Sequence, residues 1–169
     1  MTNETNAAEV SQFERLVHEL NHRIWEVRRD ACDELGMLGD KRAIPALIRM
    51  LQDGIGGVRF AAAEALGKLG DRVVIPELLR LLDDSLFGTH GPVMEALTVL
   101  KAREAIPCFI RFLRDPDVHQ RRVASNCLRE LTGHFIAYDP QGRPEAREAA
   151  AREWEKWWEQ NKAEFLAKP

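Results

Sequence analysis

One short segment has the residue types of a metal-dependent hydrolase. His18 and His22 stand four residues apart, and Glu19 directly follows the first histidine. On a helix, two histidines at this spacing can bind Zn²⁺ while the glutamate activates a water molecule for hydrolysis. The segment HELNH (18–22) is therefore the first candidate for chemistry in this chain.

A repeated pattern indicates which elements would position those histidines. The dipeptide Ile-Pro recurs at intervals of 31 residues, as Ile44-Pro45, Ile75-Pro76 and Ile106-Pro107. A fixed period of this length is typical of one helical or strand unit copied and stacked along the chain. In this register His22 has the phase of Asp53, in the turn after a helix, so the two histidines need not share a face. With no obvious third ligand nearby, we expect no metal site.

Each repeat reads as a helical hairpin. In the second unit, apolar residues spaced i, i+3, i+4, i+7 predict a first helix, and Asp53-Gly54 interrupts it. A second helix rich in small residues follows and ends before Gly70. The sequence predicts an all-α fold, a right-handed α-solenoid of about four such hairpins with a C-terminal capping helix. The predicted parts are a disordered tail (1–9), a repeat array (10–133, with units at about 10–40, 41–71, 72–102 and 103–133), a loop (134–143) and a Trp-rich helix (144–166).

The pattern resembles the HEAT repeats, particularly the short bacterial HEAT-like repeats named after phycobilisome lyases. The resemblance rests on IPxLIRxLxD in the first helices and VRxxAxxALGxLGD in the second helices, and it covers about residues 10–131. It implies a ladder between neighbouring units, built from an aspartate after the first helix and an arginine six residues later. The expected ladder residues are Asp53, Arg59, Asp84, His90, Asp115 and Arg121. His90 replaces an arginine, and His22 replaces the aspartate that would accompany Arg28, so we expect a weakened ladder at those two places.

The resemblance also bears on enzymatic activity. Metal-dependent hydroxylases built on HEAT-like repeats carry His-Glu pairs at the start of their second helices. The matching positions here hold Arg59-Phe60, His90-Gly91 and Arg121-Arg122, so we reject that class. Phycobilin lyases are typically longer, and no residue here specifically indicates a tetrapyrrole site. We expect no catalysis and no cofactor, with a lyase-type or other enzyme accessory subunit as the alternative.

The outward positions of the second helices are the natural binding face of such repeats. Carboxylates flanked by arginines, with two large apolar side chains nearby, would suit a basic or amphipathic segment of a partner protein. The candidate partner-binding residues are Arg29, Asp33, Phe60, Glu64, Met94, Glu95, Arg122, Asn126 and Arg129. The alternative is a set of ordinary solvated positions, with Arg29 facing Asp33 at i, i+4.

A second column of basic residues runs along the first helices, at His18, Arg49, Arg80 and Arg111. It could meet acidic surfaces or a nucleic-acid backbone, or simply keep that face soluble. The net charge of −3 argues against a nucleic-acid binder that relies on bulk charge.

The repeat fails in two places. Around 85–92, Pro92 leaves Phe87 and His90 on a loop, which indicates either a binding site or sequence drift. After Leu131, a turn leads to a helix carrying a cluster of aromatic residues, Trp154, Trp157 and Trp158. A terminal unit must cover exposed core, so we interpret this helix as a cap, with a partner or dimer surface as the alternative.

Composition limits the cellular setting. The first residues show no signal-peptide pattern, and no stretch approaches the ~20 apolar residues needed to span a bilayer. The three cysteines lack CxxC spacing and are typical of reduced thiols. Together these features predict a cytoplasmic scaffold or adaptor that binds a protein and exists as a monomer or weak dimer.

Overall fold

A computed structural model describes residues 12–83 and 90–167. Within these ranges all regular structure is helical. The helices are α1 (12–19), α2 (Trp25–Leu38), α3 (Ile44–Met50), α4 (Gly56–Leu69), α5 (Ile75–Leu82), α6 (Gly91–Val99), α7 (Ile106–Phe112), α8 (Val118–Thr132) and α9 (Pro144–Ala167). In the described part of the chain, every helix is too short or too polar to cross a membrane.

The chain divides into two units, Met1–Leu78 (unit 1) and Leu79–Pro169 (unit 2). In unit 1, the second helices α2 and α4 lie side by side, and α3 packs against α4. A Cβ atom added at Gly36 would lie only 2.9 Å from the Cα of Ala65, so glycine is needed for this approach. Leu35 and Leu66 are fully buried, and they form part of the apolar core.

In unit 2, both α6 and α7 pack against α8, and α9 packs against α7. In the last hairpin, formed by α7 and α8, Phe109 of α7 and Leu128 of α8 have no exposed surface. From α9, Trp154 and Trp158 add two large buried side chains. The α9 helix therefore covers a face of α7 that the repeat itself leaves without a following unit.

The residue that follows the second helix differs between hairpins. Gly39, Gly70 and Gly133 end α2, α4 and α8 with positive φ angles of 66–72°. After α6 the same left-handed conformation falls on Lys101, at φ 55°. An L-residue with a side chain is disfavoured in this region because its Cβ approaches the following carbonyl oxygen.

The next residue differs as well. Asp40 and Asp71 accept a hydrogen bond from the backbone N–H two residues later, at 2.9 and 3.1 Å, and so begin the short 3₁₀ turns before α3 and α5. Ala102 stands at the corresponding place before α7 and has no side-chain acceptor. The third hairpin thus departs from the others at both positions.

Candidate functional site

His22 takes part in the turn after α1. Its Nδ1 accepts a hydrogen bond from the backbone N–H of Ile24 at 3.2 Å. Asp53 and Asp115 accept from the N–H two residues later in the same way, at 2.9 and 2.8 Å. His22 therefore has the structural role of the turn aspartate in its unit. Within 12–83 and 90–167, no group of three His, Cys, Asp or Glu residues could hold a metal ion.

A ladder rung joins the first two hairpins in unit 1. Arg28 donates from Nε and Nη2 to the two carboxylate oxygens of Asp53, at 2.7 and 2.9 Å, and from Nη1 to the carbonyl of His22 at 2.8 Å. The paired side chains are only 16% and 8% exposed. These hydrogen bonds from Arg28 are the main reason that the pKa of Asp53 is lowered.

The expectation of a weakened ladder in the first unit is therefore wrong. This rung pairs the arginine of the first hairpin with the aspartate of the second. Arg28 therefore needs Asp53 and does not need an aspartate at position 22.

The equivalent arginines of two other hairpins repeat one contact. Arg59 and Arg121 donate from Nη1 to the carbonyls of Asp53 and Asp115, at 2.8 and 2.7 Å. In place of a following unit, Arg121 donates from Nε to the carbonyl of Pro140 at 2.8 Å, and it is 7% exposed. The C-terminal segment thus supplies a backbone acceptor where another repeat would supply a carboxylate.

The third hairpin has a different arrangement at this position. The His90 ring packs against Phe112 with centroids 4.9 Å apart. His90 and Asp115 border a cavity of about 370 Å³. Asp84 and residues 85–89, including Phe87, lie outside the described ranges, so their predicted roles remain predictions.

The outward face of unit 1 combines an exposed aromatic ring with charged groups. Phe60 on α4 is 46% exposed. Arg29 on α2 pairs with Asp30 at 2.7 Å, and its guanidinium lies 5.4 Å from the centre of the Trp25 ring. Arg29 thus forms its ion pair with Asp30 and lies over the Trp25 ring, and it does not form the i, i+4 ion pair with Asp33.

Two carboxylates of this face lie close together across α2 and α4. Partial burial raises the pKa of Asp33, and the nearby Glu64 carboxylate raises it further. Glu64 itself pairs with Lys68 at 2.8 Å. Lys68 and Arg29 partly offset this effect, and a further cationic group would lower the pKa of Asp33 more.

Unit 2 has a cavity of about 310 Å³ beside α8, which we call the α8 cavity. It is lined by Arg122, Ser125, Asn126, Arg129, His134, Phe135, Ile136, Tyr138, Pro140 and Trp154. Arg129 donates to Oδ1 of Asn126 at 3.1 Å, and Nη2 of Arg122 lies 2.9 Å from Nδ1 of His119. Three of the residues predicted to bind a partner are thus brought together.

The two predicted partner-binding residues of α6 differ in exposure. Glu95 on α6 is exposed, whereas Met94 has no exposed surface. The prediction that Met94 contacts a partner is wrong because α6 buries seven of its nine residues, leaving little of its circumference to solvent.

The C-terminal segment is fastened by aromatic and charged contacts. The ring of His134 stacks on Trp157 at 4.8 Å, and Trp154 and Phe165 meet Trp157 edge-on at 5.5 and 5.1 Å. The hydroxyl of Tyr138 donates to the carbonyl of Leu113. The α8 cavity is therefore backed by rings that other contacts hold in position.

An ion cluster adds to this attachment. Arg114, in the turn after α7, contacts Glu148 and Glu155 of α9, both at 2.7 Å. Hydrogen bonds from Arg114 and Arg152 lower the pKa of Glu148 to about 2.

The buried thiols are poor nucleophiles. Burial raises the pKa of Cys32 to about 12 and that of Cys127 to about 11. Because the thiolate is the reactive form, neither side chain is activated for chemistry near neutral pH.

Comparison with known proteins identifies the repeat. Residues 13–87 match the family described as HEAT repeats. Residues 13–87 contain HEAT repeats. A search among curated proteins finds no significant relative.

Solved structures with similar folds include two chains built from such repeats. One comes from the complex of CpcE and CpcF of phycocyanin lyase from Nostoc sp. PCC7120, with 30% identity, a TM-score of 0.62, and coverage of 72% of this chain and 53% of that chain. The other is human deoxyhypusine hydroxylase in complex with glycerol, with 18% identity, a TM-score of 0.64, and coverage of 89% and 64%. The chain thus spans less than two thirds of either relative, and the all-α solenoid class is confirmed.

The likeness to the hydroxylase concerns the fold alone. At the HEAT positions where His-Glu pairs were sought, Arg59 and Arg121 donate to backbone carbonyls, and Phe60 follows the first of them. These side chains do not fit a divalent metal, which prefers carboxylate or imidazole ligands.

The sequence-based predictions name Arg28 but not its pairing with Asp53, which could have been found because Arg28 shares the HEAT register with Arg59 and Arg121. Several residues that line the α8 cavity are absent from the predictions. Phe135 and Tyr138 lie after the last repeat, where no register indicates which way a side chain points.

Proposed function

We propose that this protein is a non-catalytic scaffold that binds a partner protein through the outward faces of its second helices. The observation that carries the proposal is Phe60, a large apolar side chain that is 46% exposed among charged groups. Exposed aromatic residues surrounded by polar groups are typical of binding hot spots.

The charges of unit 1 favour a basic or amphipathic partner segment. Asp33 and Glu64 are near enough for the carboxylate of Glu64 to raise the pKa of Asp33. A lysine or arginine of the partner would relieve this repulsion, and an apolar side chain beside it would cover Phe60. Arg29, already held by Asp30 and Trp25, would border the contact.

Unit 2 contributes the exposed Glu95 and the α8 cavity with Arg122, Asn126 and Arg129. These groups would give unit 2 a partner contact of its own, with a different chemistry. A protein that presents both carboxylates and arginines would select its partners by the match of charges more than by the apolar area buried.

The test uses a triple variant, Asp33→Ala/Glu64→Ala/Glu95→Ala. Partners captured from the native host by the wild-type protein are identified, purified and titrated against each variant. We expect at least a tenfold loss of affinity, because each lost carboxylate removes a charged contact. The matched control, Glu14→Ala/Glu145→Ala/Glu153→Ala, removes the same charge from exposed positions elsewhere and should bind normally. Unchanged affinity of the first variant would refute the proposal.

A second candidate function is that of an accessory subunit in a lyase-type assembly. It is favoured by the likeness to a chain from the complex of CpcE and CpcF. The protein purified from its native host would then carry a second subunit or a visible-absorbing pigment. Size-exclusion chromatography with absorption spectra separates this candidate from a scaffold, which should elute without a pigment band.

A further inference from the structure

We propose that the α8 cavity binds an acidic segment of a partner protein, with a carboxylate between Arg122 and Arg129 and an adjacent apolar side chain against Phe135. The inference rests on the proposed function, because it names the chemistry of one part of the partner-binding face. It also goes further, since the proposed function assigns a basic segment to Asp33 and Glu64 of unit 1 and names no ligand for the α8 cavity.

The two arginines both line the cavity to which the proposal assigns the carboxylate. They stand seven residues apart on α8, so they lie on one stripe of the helix, and both line the same cavity. Their side-chain partners carry no negative charge: the amide oxygen of Asn126 for one, and a ring nitrogen of His119 for the other. Within the described ranges, neither forms an ion pair with a carboxylate.

Most donors of both guanidinium groups therefore remain available. A guanidinium has five N–H donors in a planar fork, which matches the two oxygens of a carboxylate. Asn126 orients Arg129 toward this role without neutralising its charge.

The opposite side of the cavity is aromatic. Phe135 is 69% exposed, the largest apolar surface in the segment that follows α8. Tyr138 is held by its hydroxyl, and Trp154 is 2% exposed beneath the cavity. Because Tyr138 and Trp154 are already held by these contacts, only Phe135 would have to become ordered when an apolar side chain covers it.

The size and charge of the cavity favour a peptide over a nucleic acid. A volume of about 310 Å³ is at the lower end for ligand sites, enough for a few side chains. Arg122 also borders a neighbouring cavity of about 350 Å³ that contains Asp139, so the positive charge is interrupted beyond the α8 cavity and does not continue along a path for a polyanion. Binding to a phosphate backbone depends on many cations along its path, whereas only two line this cavity.

The test uses a defined probe, a fluorescein-labelled peptide in which glutamates alternate with phenylalanines. Fluorescence anisotropy measures its binding to the full chain. We expect the analogue with glutamine for glutamate to bind about tenfold more weakly, since it loses the charge-assisted hydrogen bonds. We expect a similar loss for Arg122→Ala/Arg129→Ala and for Phe135→Ser. The control Arg23→Ala/Arg49→Ala removes equal charge from exposed positions of unit 1 and should bind like wild type.

Three outcomes would overturn the inference. These are equal binding of the glutamine peptide, unchanged binding by both cavity variants, and displacement of the peptide by a single-stranded oligonucleotide with a steep dependence on salt. Phe135→Ser keeps the test decisive if the arginine variant does not fold.

The two proposals can fail separately. If the peptide does not bind but Asp33→Ala/Glu64→Ala/Glu95→Ala still releases the captured partner, only the acidic-segment inference falls. If that triple variant leaves partner affinity unchanged, the proposed function falls, whatever the peptide does.

Discussion

The two units differ in how each hairpin ends and in what packs against it. In unit 1 the first two hairpins are near copies: both second helices end at a left-handed glycine, both are followed by a capping aspartate, and the Arg28–Asp53 rung joins them. In unit 2, Lys101 and Ala102 replace the glycine and the aspartate of the third hairpin. The last hairpin is completed by a segment that is not a repeat.

This difference determines where each unit has room for a ligand. Regular copies in unit 1 approach closely through Gly36 and Ala65, and their outward face carries single exposed groups such as Phe60. In unit 2, the substitute segment reaches Arg121 with a backbone carbonyl and leaves the α8 cavity beside it. In unit 2 one cavity thus lies where a non-repeating element replaces the next copy.

Removing residues 143–169 should produce the largest effect. The deletion takes away the buried Trp154 and Trp158 and uncovers α7. Loss of one buried tryptophan typically costs about 3–5 kcal/mol, so we expect unit 2 to lose cooperative structure and the protein to aggregate. Circular dichroism and size-exclusion chromatography measure both consequences.

A shorter deletion provides the control for α9. Removing 166–169 takes the exposed Leu166 and the three residues after it, and it should leave folding intact. If the longer deletion also gives a soluble, folded monomer that merely loses its partner, then α9 is a docking helix rather than a cap.

Breaking the rung of unit 1 should have the next largest effect. Asp53→Asn removes a charge-assisted pair, and we expect a loss of about 1.5–3 kcal/mol in the free energy of unfolding at pH 7. The pKa of Asp53 is lowered in the folded protein, so its contribution is present above the ordinary carboxyl pKa and is lost as pH falls through the lowered value.

Urea unfolding at pH 7 and near pH 3 therefore tests the rung. The difference between wild type and Asp53→Asn should shrink at the lower pH. Asp30→Asn, which removes an exposed ion pair, should change stability little at either pH. An equal loss at both pH values would mean that the carboxylate charge is not the source of the stability.

The sequence predicts the regular part of the molecule better than the irregular part. The 31-residue recurrence correctly indicates helical hairpins and the all-α class, because each copy must bury the same stripe against its neighbours. It fails for Met94, because a phase in the repeat does not reveal how much of a shortened helix is covered. It also misses Phe135 and Tyr138, whose positions depend on a chain path outside the repeat.

Lys101 provides a smaller test of the contrast between the helix ends. Lys101→Gly should stabilise the protein by about 1 kcal/mol, because glycine adopts the φ of 55° without the steric cost. The reciprocal change in unit 1, Gly70→Lys, should destabilise by a similar amount, since Gly70 has a φ of 66°. Thermal unfolding measures both. A destabilised Lys101→Gly protein would show that contacts of the lysine side chain outweigh the strain.

The smallest expected effect is at Asp33, and it separates stability from binding. Its pKa is raised in the folded protein, so the ionised carboxylate destabilises the fold above that pKa, and this effect disappears below the ordinary carboxyl pKa. Asp33→Asn should therefore raise stability at pH 7, by less than about 0.5 kcal/mol, and have no effect near pH 3. Differential scanning calorimetry at the two pH values checks this.

The same change should weaken partner binding if unit 1 has the proposed scaffold face. A stability gain combined with a binding loss is expected where a carboxylate is kept for recognition at the expense of the fold. Glu14→Gln is the matched control for binding, because Glu14 is exposed on α1 and is not one of the predicted partner-binding residues. Lower stability of Asp33→Asn at pH 7 would contradict the charge argument, and unchanged binding would assign Asp33 to the solvated surface.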